Sequence, residues 1–142
     1  MLAENLKRYL EAAVPIIYVN SYDDNAVEES ILKATGYRRV WEWNRLYGAL
    51  NRKDVHKTNV ETVYEIISDG CPLENFLING VKEREFDQKV IILKDIAPYL
   101  ENPDIVAILK TACLLIEQGE LDTVFIFVSS SLTVPGELGK YI

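Results

Sequence analysis

The spacing of apolar residues divides the chain into segments of two kinds. Short runs of consecutive apolar and β-branched residues are typical of strands that are buried on both faces of a sheet. Three segments have this pattern, at residues 16–20, 89–94 and 123–129. A fourth segment, at residues 37–44, alternates aromatic and β-branched residues with polar ones, which also favours a strand. The pattern therefore predicts four strands.

Other segments repeat their apolar residues every three or four positions, as an amphipathic helix does. The repeat predicts helices over residues 2–13, 26–34 and 102–118, and Pro135 begins a last short helix. Asn102 is a suitable N-cap for the third of these helices, because a proline and an aspartate follow it in the first turn.

The middle of the chain gives weaker signals. Residues 45–58 are mostly polar and predict a loop, and residues 82–88 predict a second, charged loop. Residues 59–80 indicate one or two helices, which are interrupted by a glycine and a proline at residues 70–72.

Buried strands that alternate with helices imply a parallel sheet with helices on both faces. We therefore expect an α/β fold, specifically a three-layer sandwich around a mainly parallel sheet. No linker, repeat or low-complexity tract divides the chain, so residues 1–142 are expected to form a single domain. The sequence given ends where a fifth strand would follow, which predicts that it is the N-terminal part of a longer protein.

Charge and cysteine content narrow the classes of partner and compartment. The formal net charge of −7 argues against a general binder of nucleic acids or anionic membranes, because both are polyanions. The chain shows neither a signal peptide nor an apolar run long enough to span a membrane. Its two cysteines, Cys71 and Cys113, do not make a disulfide framework, and Cys113 lies in an apolar helical pattern typical of the core. We expect a cytoplasmic protein.

Four segments resemble the N-terminal domain of a bacterial, cyanobacterial and plastid family of AAA-type ATPases. In chain order they are IIYVNSYDDNAVEESI, VWEWNRLYGAL, KVIILKDIAPYLENPDIVAILKTA and TVFIFVSSSLTVPGELGKYI. The most specific parts are residues 94–103 and 129–138, and the resemblance covers the whole chain. None of these motifs is a catalytic signature, so the resemblance is to a type of domain.

In that family a degenerate ATPase-like domain precedes a complete, C-terminal AAA module. The resemblance thus implies a P-loop NTPase-like fold without a phosphate loop, and it places ATP and magnesium in the downstream module. This chain would be a non-catalytic regulatory or assembly domain without a cofactor. The implied partners are its own C-terminal AAA module, further copies of the protein, or another protein.

The resemblance also assigns relic positions of a nucleotide site. Asp95 follows the strand that ends in the magnesium-ordering acid of an ATPase, and Ser129 or Ser130 occupies the position that senses the γ-phosphate. Residues 18–25 stand in place of the phosphate loop. Asp95 is followed by isoleucine, whereas a working ATPase has an Asp-Glu pair.

A phosphate loop needs glycines, a lysine and a hydroxyl, and the chain has no glycine or lysine between Val19 and Val27. Asp23 and Asp24 stand where the next helix begins, where they complement its dipole and repel phosphate. We therefore expect no ATP binding by this chain.

The acidic turn has a second interpretation. Asp23 and Asp24 with Asp95 resemble the magnesium-binding acids and the phosphoacceptor of a receiver domain, in which Ser129 would be the switch hydroxyl. The wide sequence separation of these acids argues against a receiver. The simpler interpretation is a capped helix with a solvated acidic turn.

Residues 37–57 combine aromatic and cationic side chains, which is typical of surfaces that stack nucleic-acid bases and pair with phosphates. A strand with one aromatic face packed beneath a helix explains the same pattern. A protein-contact surface is the third interpretation, since Trp, Tyr and Arg dominate interface hot spots. The interaction candidates are Trp41, Trp43, Arg38, Arg39 and Arg45. His56 is the single histidine and the cysteines are not clustered, so no transition-metal site is predicted. No nucleophile motif is present and neither cysteine has an evident histidine partner, so no catalytic residue is predicted.

Overall fold

The structure, a computed structural model, describes residues 14–19, 39–55, 61–129, 135–139 and 141. Six strands in these residues form one sheet: β1 (Ile16–Val19), β2 (Arg39–Asn44), β3 (Gly48–Val55), β4 (Glu61–Asp69), β5 (Lys89–Lys94) and β6 (Thr123–Val128). The helices are α1 (Leu73–Lys82), a 3₁₀ helix (Ala97–Glu101), α2 (Pro103–Glu117) and α3 (Gly136–Gly139).

The strand order across the sheet is β1-β6-β5-β2-β3-β4. The first four strands of this order run parallel to one another, whereas β3 and β4 are added at one side by antiparallel pairing. Strand β4 is thus the last strand of the sheet on that side. The α/β class and the mainly parallel sheet expected from the sequence are confirmed.

Both faces of the sheet carry buried apolar side chains. The first face packs against the three α-helices and includes Ile91, Leu93, Phe125 and Phe127. The opposite face holds a separate cluster of strand residues: Ile17, Val19, Val40, Val90, Ile92, Val124, Ile126 and Val128. A sheet that is buried on both faces agrees with the expected sandwich. The helices predicted over residues 2–13 and 26–34 lie outside the described residues.

Two predictions for the middle of the chain are wrong. Residues 48–55, expected to be part of a loop, form β3, and residues 61–69, expected to be helical, form β4. The register between these strands shifts between Ala49 and Leu50, which pair with Ser68 and Ile66 and leave Ile67 as an extra residue. This β-bulge interrupts the alternation by which a strand is recognised. The second part of the 59–80 prediction is correct, since α1 lies there.

Helix α2 begins and ends as predicted. The side chain of Asn102 accepts a hydrogen bond from the backbone N–H of Asp104 at 2.9 Å, and Pro103 occupies the first helical position. Gly119, with φ of +76°, adopts the left-handed conformation just past the helix end. None of the described helices is long and apolar enough to cross a membrane.

Candidate functional site

The carboxyl ends of three neighbouring parallel strands meet at one edge of the sheet, which we call the strand-end edge. Val128 at the end of β6 pairs with Val19 of β1 on one side and with Lys94 of β5 on the other. The amide of Asp95 donates to the carbonyl of Val128 at 3.1 Å, and the amide of Ser129 donates to the carbonyl of Val19 at 3.2 Å. Asp95 and Ser129 therefore lie at the edge where open α/β sheets bind ligands.

Asp95 and Ser129 differ in their accessibility. Asp95 is exposed and has φ of +54°, in the left-handed region. Ser129 is buried, and its carbonyl accepts a hydrogen bond from the hydroxyl of Tyr18 at 3.2 Å. Ile96, the residue after Asp95, is completely buried in the first-face core. The residue directly after Asp95 thus belongs to the core. Ser130 lies outside the described residues.

Trp43 packs inside the protein, which corrects the expectation that it is a contact residue. Its side chain is only 3% exposed, and its indole Nε1–H donates to the carbonyl of Cys71 at 2.8 Å. The ring also contacts Tyr99 edge to face, with 5.3 Å between the ring centroids. A tryptophan with a satisfied indole N–H and no exposed surface stabilises the core and is not available to a partner.

Trp41 is half-buried and its ring is engaged by internal neighbours. The ring centroids of Phe76 and Phe86 lie 6.4 and 6.5 Å from that of Trp41. The ammonium of Lys89 lies 4.5 Å from the same ring centroid, at a distance typical of a cation–π contact. These contacts fit the interpretation of an aromatic strand face packed beneath a helix.

The arginines of this region do not form one patch. Arg39 is exposed at the start of β2. The pKa of Lys89 is lowered mainly by burial of its ammonium group, and the positive charge of Arg39 lowers it further. Arg45 is exposed just past the other end of β2, with its guanidinium 5.6 Å from the ring centroid of Tyr99. The strand rise places the Cα atoms of these two arginines about 20 Å apart. Arg38 lies outside the described residues.

Large apolar side chains are exposed beside Arg45, in the turn between β2 and β3. Leu46 is 75% exposed and Tyr47 is 50% exposed. The turn is held by Asn44, whose Oδ1 accepts from the amides of Leu46 and Tyr47 at 3.1 and 2.8 Å. Its other anchor is the carbonyl of Tyr47, which accepts from the amide of Gly70 at 3.2 Å. Leu46 has the largest exposed fraction of the large apolar side chains that the structure describes.

A cavity of about 480 Å³ lies next to this turn, and its polar residues were missed by the sequence analysis. The described residues that line it are Glu42, Asn44, Tyr47, Leu50, Ile66 and Lys94. Glu42 is only 2% exposed, and its Oε1 lies 3.4 Å from the Nζ of Lys94. The one signal in the sequence is an acidic residue between two tryptophans of a buried strand, since burial of a carboxylate requires a partner.

The residues that the structure describes contain no group of three or more His, Cys, Asp and Glu side chains placed to hold a metal ion. Asp23 and Asp24, on which the receiver hypothesis depends, lie outside the described ranges. That hypothesis and the nucleic-acid hypothesis for residues 37–57 both stay predictions.

Comparison with known protein families identifies the family of this chain. Residues 2–142 match the family model described as SpoVK-like AAA ATPase, N-terminal domain. The chain belongs to this family. The match covers almost the whole chain and confirms the resemblance to the N-terminal domain of an AAA-type ATPase. Searches of curated proteins and of solved structures returned no match.

In this SpoVK-like N-terminal domain three parallel strands end at the strand-end edge, and Asp95 and Ser129 directly follow two of them. Isoleucine follows Asp95 in the sequence and lies in the core, and the sequence has aspartates at positions 23 and 24.

Proposed function

We propose that this domain is a non-catalytic, cytoplasmic regulatory or assembly domain of the ATPase to which it belongs. The observation that carries the proposal is the strand-end edge, where the exposed Asp95 is followed by the completely buried Ile96. The sequence that follows β1 also lacks the glycines and the lysine of a phosphate loop. ATP and magnesium are then bound by the AAA module downstream, and this domain contributes contacts.

The contact surface in this proposal is the turn between β2 and β3, which presents Arg45, Leu46 and Tyr47. Leucine and tyrosine side chains that stay exposed on a fixed turn stabilise the fold little, whereas they gain free energy when a partner covers them. An arginine beside them adds a residue type that is common in hot spots. The partners that we propose are the AAA module of the same protein and neighbouring copies in its assembly.

The test is made in the full-length ATPase with the double substitution Leu46→Ser and Tyr47→Ser. The oligomeric mass is measured by light scattering and the ATPase rate by phosphate release. We expect the double variant to have a lower oligomeric mass or an altered ATPase rate, while its AAA module still binds ATP. The matched control is Leu114→Ser, since Leu114 is 40% exposed on α2.

A second arm removes residues 1–142 from the full-length protein. The proposal requires that this deletion alters the oligomeric mass or the rate while ATP binding persists. If the deletion and the double variant both leave mass and rate unchanged, the regulatory or assembly role is wrong. If the deletion abolishes ATP binding, the non-catalytic assignment is wrong.

A further inference from the structure

The turn between β2 and β3 forms a protrusion, and the cavity next to it forms a recess. Leu46 is the protrusion, since its side chain is 75% exposed while Asn44 fixes its backbone. The recess is the cavity of about 480 Å³, whose described apolar walls are Tyr47, Leu50 and Ile66. Because Tyr47 belongs to both the turn and the cavity lining, the protrusion and the recess lie side by side.

The strand register shows which face of the sheet carries the recess. Ile66 of β4 pairs with Leu50 of β3, which pairs with Glu42 of β2. Glu42 in turn pairs with Ile92 of β5, a residue of the apolar cluster on the opposite face. Side chains that are paired in this way across neighbouring strands point to the same face. The recess therefore lies on the opposite face, towards the last strand β4.

Two exposed charges of opposite sign flank the protrusion and the recess. Arg45 directly precedes Leu46 in the turn and is exposed. Asp69 is the last residue of β4 and is also exposed. It pairs with Gly48, which pairs with Asn44 of the cavity lining, so Asp69 lies on the face that carries the recess. A cation thus stands beside the protrusion and an anion beside the recess.

We propose that two copies of this domain pair about a two-fold axis that passes between the protrusion and the recess. Such an axis makes the surface self-complementary, because each feature of one copy meets the other feature of its partner. Leu46 of each copy then enters the recess of the other copy and contacts Leu50 and Ile66 there. Ile66 and the neighbouring Ile67, which are 53% and 41% exposed, lose contact with water at the rim. The burial of these apolar side chains supplies the free energy of association.

The charges favour a second copy as the partner. The exchange that places Leu46 in the recess also brings Arg45 of each copy towards Asp69 of the other, so the pair gains two contacts between opposite charges. The formal net charge of −7 repels the copies at long range, but at physiological ionic strength exposed charges more than about 8 Å apart are largely screened. This inference specifies the contact between neighbouring copies, and it rests on the proposed function of the turn in assembly.

The experiment measures the mass of the 142-residue chain by analytical ultracentrifugation over a series of concentrations at physiological ionic strength. We expect a reversible equilibrium between monomer and dimer. Arg45→Glu and Asp69→Arg each lower the association constant by about tenfold or more, because both contacts then join like charges. An equimolar mixture of the two variants restores the dimer, since both contacts again join opposite charges. The control Leu114→Glu, at an exposed position of α2, leaves the association constant unchanged.

The proposal is overturned if the chain stays monomeric at millimolar concentration. It is also overturned if the mixture of the two charge variants does not restore the dimer, or if Leu46→Glu leaves the association constant unchanged, since the copies would then meet elsewhere. Circular dichroism checks the fold of each variant, and the substituted positions are all exposed. A monomeric chain would not contradict the contact with the AAA module, because the full-length protein tests that contact separately.

Discussion

Gly80 lies in helix α1 directly above the ring of Phe86. A Cβ at position 80 would be 2.2–2.4 Å from the ring atoms Cζ, Cε1 and Cε2 of Phe86. That ring is completely buried between Phe76 and Phe125, whose centroids lie 5.0 and 5.7 Å away, so it has little room to move. We predict that Gly80→Ala lowers the free energy of unfolding by about 1–3 kcal/mol through overpacking, as measured by denaturant titration.

The control for this prediction is Gly136→Ala. No heavy atom lies within 4 Å of a Cβ built at position 136, so the substitution meets open space. We expect its effect on the free energy of unfolding to stay within about 0.5 kcal/mol. Equal effects of the two substitutions would contradict the contact between α1 and Phe86.

The thiol of Cys113 provides a pH-dependent prediction. Burial, with a smaller contribution from Glu117, raises the pKa of Cys113 from its ordinary value of 9.0 to about 12. When the pH lies between these two pKa values, the thiol of Cys113 is deprotonated in the unfolded chain and protonated in the folded chain. The contribution of the thiol to stability is therefore complete below pH 9 and decreases as the pH rises towards 12. Denaturant titrations across this range should show a smaller decrease for Cys113→Ala than for the native chain.

Alkylation gives an independent check on the same thiol. Because the thiolate is the reactive species, Cys113 in the folded Cys71→Ser variant should resist iodoacetamide at pH 8 and react only after unfolding. Cys71 is half-buried, so the Cys113→Ala variant should be labelled more readily in its native state. Rapid labelling of Cys113 in the folded chain would contradict its burial in the core.

At the scale of elements, the N-cap of α2 is the clearest local determinant. The Oδ1 of Asn102 accepts from the amide of Asp104 and satisfies one of the otherwise unpaired donors of the first turn. We predict that Asn102→Ala lowers the free energy of unfolding by about 1 kcal/mol, measured by denaturant titration. Asn102→Asp retains an acceptor oxygen and should stay close to the native stability. An equal loss in both variants would show that the cap is not the cause.

Elements with a local signal were predictable and those that depend on pairing were not. Strands β5 and β6 are runs of apolar residues, and α2 has a cap, a period and a terminating glycine. Strand β3 is rich in polar residues and is defined by its neighbours in the sheet. In β4, Val63, Ile66 and Ile67 have the sequence spacing of a helix face, and the bulge at Ile67 interrupts the alternation that marks a strand.

The candidate site also contains residues with a local sequence signal and residues that only strand pairing brings together. The family resemblance assigned Asp95 and Ser129 to one relic site, and the structure places both at one edge because each directly follows a parallel strand. The pair of Glu42 and Lys94 was not predicted, since their proximity depends on the register between β2 and β5. Trp43 was assigned to a contact surface because residue type alone does not distinguish a hot spot from a core position.

At the scale of the whole molecule, the chain combines a mainly parallel sheet with a sequence that contains no phosphate-loop motif. The parallel strands and their shared edge are present, and a completely buried isoleucine follows Asp95. The formal net charge of −7 adds repulsion towards a polyphosphate ligand. The molecule is therefore expected to act through contacts with other parts of the ATPase.

Calorimetric titration of the 142-residue chain with ATP and magnesium tests this account most directly. The full-length ATPase, titrated under the same conditions, is the positive control. We predict no saturable heat from the isolated chain at millimolar nucleotide and clear binding by the full-length protein. Saturable, magnesium-dependent binding by the isolated chain would contradict the account, because the strand-end edge would then hold phosphate without a phosphate loop.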